Sequence, residues 1–236
     1  MKRWPAATGC FSAQAGPHRM IWDLHYQPLN VPAEYPISAV YANTAPTPTS
    51  PWVMPGTYTV KLTVNGKTYT QPLAVRMDPR VKPALPILQQ QHDLAFRAYK
   101  GREKAMQAYN QVHLLRAAIA SLLSRCQGAV AAALKTLDEK AAPLEGAPRR
   151  GGGRGAPGGG SAQLKAFAQL QADYATVFSI LQEADEPPTT QSITALQATE
   201  QAAGLTAAAW MQLQQKDLPA INAQLKTAGL DLLKIQ

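Results

Sequence analysis

The sequence predicts an α+β protein, with an antiparallel β-sandwich module in the first third and an antiparallel helical bundle in the rest. Two observations lead to this class. Residues 55–75 alternate apolar and polar side chains around an Asn-Gly pair, as β-hairpins do. After Pro86 the apolar residues recur mostly every three, four or seven positions, as in amphipathic helices. We therefore expect a β module over residues 1–83 and a helical bundle over residues 84–236.

The hairpin is the most strongly specified element. Asn65-Gly66 readily adopts the positive φ angles of a two-residue turn. Such a turn places Leu62 opposite Tyr69 and Tyr58 opposite Leu73 on one face, with threonines on the other. A slip of one residue would expose that apolar face, so we expect one face of the sheet to be buried.

Further β structure is predicted around the hairpin. A strand is expected at His18–Leu24, where apolar and polar residues alternate, and a short strand at Ile37–Tyr41 within a Pro-rich loop. Pro72 lies in the second arm of the hairpin and cannot donate a ladder hydrogen bond. It therefore predicts a bulge or a sheet edge there.

Helices account for the remainder of the chain. Gly128 is expected to end the first, long helix and to separate it from a shorter second one. Ser161 is the expected N-cap of the third helix. The segment RRGGGRGAPGGG, residues 149–160, lacks the Lys and the preceding strand of a phosphate-binding loop, so a disordered Gly/Arg-rich linker is expected over 146–160. The helices are expected at about 86–126, up to about 142, and at 161–183, 190–216 and 219–228.

Composition limits the classes of partner. The net charge of +8 divides evenly, with an excess of four positive charges in residues 1–80 and four in residues 81–236. A nucleic-acid-binding protein more often concentrates its charge, so no specific nucleic-acid partner is expected. No apolar run approaches the roughly 20 residues of a membrane span. The start MKRWPAATGC has too short an apolar stretch for an export signal, and no recognisable signal is expected.

The polar residues do not predict an active site, a cofactor site or a metal site. His92 and His113 are 21 residues apart on the long helix, too far to share a metal. The acidic residues of segment 183–186 lack the spacing of a calcium loop and are expected to be a solvated turn. Cys10 and Cys126 are expected to be free thiols, because they fit neither a disulfide framework nor a metal site.

The aromatic residues offer a binding hypothesis. Trp22, Trp52, Tyr41 and Tyr58 could form a platform for sugar rings. Tyr58 is expected in the hairpin core and Trp22 beneath the sheet. Trp52, which lies in a loop between Pro51 and Val53, is the natural candidate for exposure, and core packing is the favoured interpretation of the aromatic set as a whole. The candidate carbohydrate-binding residues are Trp52 and Tyr41.

Three segments in order resemble a known family: GPHRMIWDL (16–24), YPISAVY (35–41) and PWVMPGTYTVKLTVNGKTYTQPLAVRMDPRV (51–81). They are similar to the C-terminal region of bacterial sortilin-like, BNR-repeat proteins of the glycosyl-hydrolase type. The resemblance is close over residues 11–80 and looser through ADEPPT (184–189) and LPAINAQLKTAGL (218–230). It implies an exported protein with an N-terminal β-propeller, which would hold any glycan chemistry, then an immunoglobulin-like sandwich and helices.

Relative to that pattern, we expect this chain to lack the propeller and the first sandwich strands. The resemblance thus implies a partial immunoglobulin-like sandwich followed by helices. It also implies a non-catalytic accessory module that docks beside a β-propeller or mediates protein contact. Self-association through an open sheet edge is a second partner hypothesis. The alternative function is a carbohydrate-binding module that uses Trp52, and an enzyme is not favoured, since the propeller that would carry catalysis is missing.

Overall fold

The computed structural model describes residues 16–31, 47–146 and 164–235. These residues are mostly helical and contain one two-stranded antiparallel sheet. The elements in chain order are β1 (Gly56–Val64), β2 (Lys67–Val75), α1 (Leu85–Leu123), α2 (Gly128–Glu145), α3 (Phe167–Gln182), α4 (Thr190–Gln212), a π-helical turn (Leu213–Asp217) and α5 (Leu218–Thr227).

The predicted fold class is wrong. A sandwich needs two packed sheets, whereas the described residues form only the β1–β2 pair. The immunoglobulin-like architecture is therefore not found there, and the fold is mainly helical. The predicted strand at Ile37–Tyr41 and the Gly/Arg-rich segment 149–160 lie outside the described residues.

The predicted hairpin register is confirmed. Leu62 pairs with Tyr69 and Tyr58 with Leu73. The pairing continues without a bulge from the pair of Gly56 and Val75 to the pair of Val64 and Lys67. Asn65 and Gly66 both have positive φ angles, 48° and 77°, as a type I′ turn requires. The expected burial of one face is wrong, because nearly every residue of both strands is exposed.

The predicted strand at His18–Leu24 is also wrong. These residues have no strand pairing, and Leu24 has a left-handed φ of 60°, which ends any extended run. The Asp23 carboxylate accepts a hydrogen bond from the His25 backbone N–H at 3.1 Å, which closes a local turn in place of a ladder. Trp22 instead packs edge-on against Tyr58, with ring centroids 5.5 Å apart.

The chain divides into two compact units. Unit 1 contains the described residues up to Phe96 together with Leu181–Pro188. Unit 2 contains Arg97–Ile180 and Thr189 onward. Helices α1 and α3 each contribute residues to both units.

The core of unit 2 is built from the apolar stripes of its helices. Leucines, isoleucines and valines at helical spacing are fully buried there, as amphipathic helices require. Helix α2 contacts both α4 and α5. The largest fully buried side chains of this core are Val112, Leu115, Ile119, Leu134, Leu137, Leu170, Leu196 and Leu225.

Most predicted helix positions agree with the structure to within a few residues. The third helix begins later than expected, at Phe167, and Leu164 precedes it and is exposed. The expected N-cap Ser161 lies outside the described residues. Helix α4 is capped by Thr189, whose hydroxyl accepts the Ser192 N–H at 3.1 Å. None of the described helices combines the length and apolarity needed to cross a membrane.

Candidate functional site

Unit 1 contains a pocket of about 330 Å³ beside Trp52, called here the Trp52 pocket. Its volume lies at the lower end of the range for small-molecule sites. Trp52 is 49% exposed at its rim. The apolar lining comes mainly from Leu24, Val53, Met54, Met77, Val81 and Leu88.

Two glutamines hold together the segments that form the pocket. Gln91 of α1 is buried, and its Nε2 donates to the carbonyls of Leu181 at 2.7 Å and Ala184 at 2.5 Å. It thereby satisfies carbonyls at the end of α3 that lack a helical partner. The Gln182 Oε1 accepts the Trp52 backbone N–H at 3.1 Å.

Trp52 is fixed against His25. Their rings lie 3.7 Å apart between centroids at an interplanar angle of 37°, and their backbones form an isolated antiparallel bridge. The His25 side chain is only 8% exposed, and its Nε2 has no hydrogen-bond partner among the described residues. Burial lowers the pKa of His25 below its ordinary value, although the Asp23 carbonyl and carboxylate act in the opposite direction. His25 is therefore neutral at pH 7.

Charged groups at the Trp52 pocket are mainly acidic. Asp78, Glu183 and Asp185 line it, with Arg76 as the basic residue of the lining apart from His92. Arg80 holds the pKa of Asp78 below its usual range by hydrogen bonds to the carboxylate, with Nη2 2.6 Å from Oδ2. Asp78 is consequently an ionised hydrogen-bond acceptor at neutral pH and is unsuited to act as a general acid.

Of the two predicted carbohydrate-binding residues, the structure places Trp52 at a pocket and Tyr41 lies outside the described residues. Trp22 and Tyr58 contact each other, and the Tyr58 hydroxyl donates to the Met54 carbonyl at 2.6 Å. The described residues therefore do not form a sugar-binding platform from all four of these aromatic side chains.

Sequence reasoning missed most of the pocket. Gln91 and Gln182 carry no motif, and they meet the β module only because segment Leu181–Pro188 returns to unit 1. The acidic turn at 183–186 was the available signal. Its residues are exposed to solvent, as predicted, and two of its carboxylates also line the pocket.

Within the described ranges, no three His, Cys, Asp or Glu side chains lie close enough together to hold a metal ion. Cys126 is a free thiol, and Cys10 lies outside those ranges.

The hairpin forms a second candidate surface. Its side chains separate by polarity, since alternate residues of a strand point to opposite faces. The threonine face consists of Thr57, Thr59, Lys61, Thr63, Thr68 and Thr70 with Pro72 and Ala74. The apolar face contains Tyr58, Val60, Leu62, Val64, Tyr69 and Leu73, and also Lys67 and Gln71.

The apolar face is unusually open to solvent for its composition. Leu62 is 53% exposed and Tyr69 58% exposed, and Val60, Val64 and Leu73 are exposed as well. Isolated two-stranded hairpins are marginally stable in water, and an apolar face of a sheet is normally covered. This face therefore has the properties of a contact surface.

Comparison with known protein families, with curated proteins and with solved structures finds no match to this chain.

Proposed function

We propose that this chain is a non-catalytic accessory module that docks onto another protein through the apolar face of the β1–β2 hairpin. The observation that carries the proposal is the exposure of five large apolar side chains on one face of a sheet whose other face is mostly threonine. Full burial of one such side chain is worth about 1.5–3 kcal/mol. A partner that covers the face gains several such contributions.

The hairpin is preorganised for binding a partner. Its turn is specified locally by Asn65 and Gly66, so the face keeps its arrangement before any partner is bound. At the base, Tyr58 is anchored by Trp22 and by the Met54 carbonyl. Preorganisation of this kind lowers the entropic cost of association. A β-propeller is the first partner to test, on the resemblance of residues 11–80.

Site-specific photocrosslinking tests the proposal. A benzoylphenylalanine replaces Leu62 on the apolar face of the full chain, and a matched sample carries it at Lys61, whose side chain points to the opposite face. Irradiation of intact cells is expected to give a discrete adduct with a second protein from position 62 and much less from position 61. Adducts of equal yield from both positions, or none from position 62, would contradict the proposal. Adducts of the chain with itself would support self-association instead.

A carbohydrate-binding module is the second candidate, and the half-exposed Trp52 at the rim of a pocket favours it. Aromatic side chains in such positions stack on sugar rings, and the carboxylates and amides of the lining could bond hydroxyl groups. Titration of the chain with an oligosaccharide panel is expected to change tryptophan fluorescence, and Trp52→Ala is expected to abolish that change. No change with any oligosaccharide would eliminate this candidate.

A further inference from the structure

We infer that the outer edge of β1 accepts an extended antiparallel strand from another protein, in which apolar residues alternate with acidic ones. The inference rests on the proposed docking function, and it specifies the chemistry of the partner.

The two edges of the hairpin differ in their backbone donors. Val64 and Lys67 flank the two-residue turn and exchange backbone hydrogen bonds, and every second pair after them does the same. The pairs between these make no hydrogen bonds to each other, and their backbone N–H and C=O groups point outward. Thr59 and Pro72 form one of these outward-pointing pairs. Pro72 has no N–H, which interrupts the outer edge of β2.

The outer edge of β1, unlike that of β2, has a backbone N–H at every outward-pointing residue. Thr57, Thr59, Lys61 and Thr63 all belong to the outward set, and each has a backbone N–H and a carbonyl. Within the described parts of the chain, β2 is the only strand paired with β1. An uninterrupted open edge of this kind is a template for strand addition.

The faces of the hairpin determine the side-chain pattern of the added strand. Residues that pair with Val60 and Leu62 would continue the apolar face, so apolar side chains are favoured there. Residues that pair with Thr59 and Lys61 would continue the threonine face, where polar side chains are favoured. The added strand therefore alternates apolar and polar residues.

The positive charge of the hairpin favours acidic residues at the polar positions of the added strand. Between Gly56 and Met77 the chain has three basic side chains, Lys61, Lys67 and Arg76, and no acidic one. Acidic residues opposite Lys61 gain a favourable cross-strand pair. A second copy of β1 would bring positive charge against positive charge, so Lys61 disfavours self-pairing while it favours an acidic partner.

A synthetic nine-residue peptide that alternates Glu and Val is the probe. In the antiparallel pairing inferred here, the amides of its Glu residues point toward β1 and those of its Val residues point away. N-methylation of the Val amides therefore prevents the peptide from associating with itself and leaves binding intact. N-methylation of the Glu amides gives the matched control, which is expected not to bind.

Binding to the full chain is followed by amide NMR and hydrogen exchange. Without peptide, the amides of Thr57, Thr59, Lys61 and Thr63 are expected to exchange rapidly. With the Val-methylated peptide they are expected to become protected, whereas the amides of Thr68 and Thr70 on the outer edge of β2 are not. A peptide with Lys in place of Glu is expected to bind at least about tenfold more weakly.

Two proline substitutions provide a matched pair of protein variants. Thr59→Pro removes an outward N–H from β1 at the position opposite the native Pro72, and is expected to weaken binding about tenfold. Thr70→Pro removes an outward N–H from β2 and is expected to leave binding within about twofold. Each variant must retain the Leu62–Tyr69 cross-strand contact by NMR, which shows that the hairpin is intact.

The outcomes separate this inference from the proposed function. Failure of the Val-methylated peptide to bind, while Leu62 still crosslinks to a partner, overturns strand addition and leaves docking through the apolar face. Protection of the β1 outer amides in the isolated chain overturns the inference as well, because the edge is then already occupied. Equal weakening by Thr59→Pro and Thr70→Pro also overturns it.

Discussion

Gly101 of α1 lies directly against the ring of Tyr174 of α3, and a β-carbon at position 101 would approach three ring carbons closer than 3.0 Å. Tyr174 is buried, and this burial raises its pKa to about 12. The absence of a side chain at Gly101 thus allows the ring to pack within unit 2.

We predict that Gly101→Ala destabilises the protein by about 1–3 kcal/mol, because the added methyl group overpacks the contact. Gly204→Ala is the matched control, since Gly204 also lies inside a helix and has no atom within 4 Å of its β-carbon position. Helix propensity makes that control stabilising by about 0.5–1 kcal/mol. Urea denaturation measures both. Equal effects of the two substitutions, or a Gly101→Ala penalty that persists in a Tyr174→Ala background, would contradict the close packing.

We predict that His25 titrates below its ordinary value of 6.5, since burial disfavours its charged form. The unfolded chain then binds a proton more readily, so stability is lost as pH falls below about 6.5. Histidine NMR signals measure the midpoint directly. Trp52→Ala uncovers the His25 ring and is expected to move the midpoint upward toward 6.5. A midpoint that does not respond to this substitution would show that Trp52 does not bury the ring.

Glu145 provides a second pH-dependent contribution. It is buried in unit 2, and its carboxylate accepts a hydrogen bond from His113 at 2.7 Å and another from Arg116. Burial alone would raise the pKa of Glu145, but these hydrogen bonds outweigh it and lower the pKa below 4.5.

We therefore predict that Glu145→Gln costs on the order of 1–3 kcal/mol at neutral pH. Because the pKa of Glu145 is lower in the folded state, its stabilisation is present above pH 4.5 and is lost as pH falls through that lower value. The difference in unfolding free energy between the wild type and the variant is expected to shrink in that range. Glu139→Gln, at an exposed site on the same helix, is the control, and an identical pH profile for both variants would exclude a special role for Glu145.

The contact between Trp22 and Tyr58 predicts energetic coupling between the segment before the pocket and the hairpin. A double-mutant cycle with Trp22→Ala and Tyr58→Ala is expected to give about 0.5–1.5 kcal/mol beyond additivity. Additive effects of the two substitutions would mean that segment 16–31 and the hairpin are energetically independent.

The sequence was a good guide to local structure and a poor one to tertiary structure. Asn65-Gly66 with its flanking alternation determines the hairpin register within about 20 residues, and apolar spacing locates the helices. At His18–Leu24 the same kind of alternation was misleading, because the Asp23 turn and the left-handed Leu24 override it. Alternation marks an apolar face and does not show what covers it. That is why the burial of the hairpin face was predicted wrongly.

The Trp52 pocket could not be predicted from the sequence, because local patterns do not show which distant residues come together. Gln91 and the carbonyl of Leu181 are 90 residues apart, and no local pattern indicates that they meet. Trp52 was identifiable because Pro51 and Val53 place it in a loop, but its stacking on His25 depends on a long-range backbone bridge.

The π-helical turn at Leu213–Asp217 preserves the orientation of the helix that follows it. Such a turn accommodates an extra residue within otherwise regular α-helix. In regular α-helix, one residue more or fewer rotates everything downstream by about 100°, which would turn the buried stripe of Leu218, Ile221 and Leu225 away from α2. A one-codon deletion within the turn should therefore leave regular α-helix with that stripe in place, whereas a one-codon deletion within α4 should disrupt the core of unit 2.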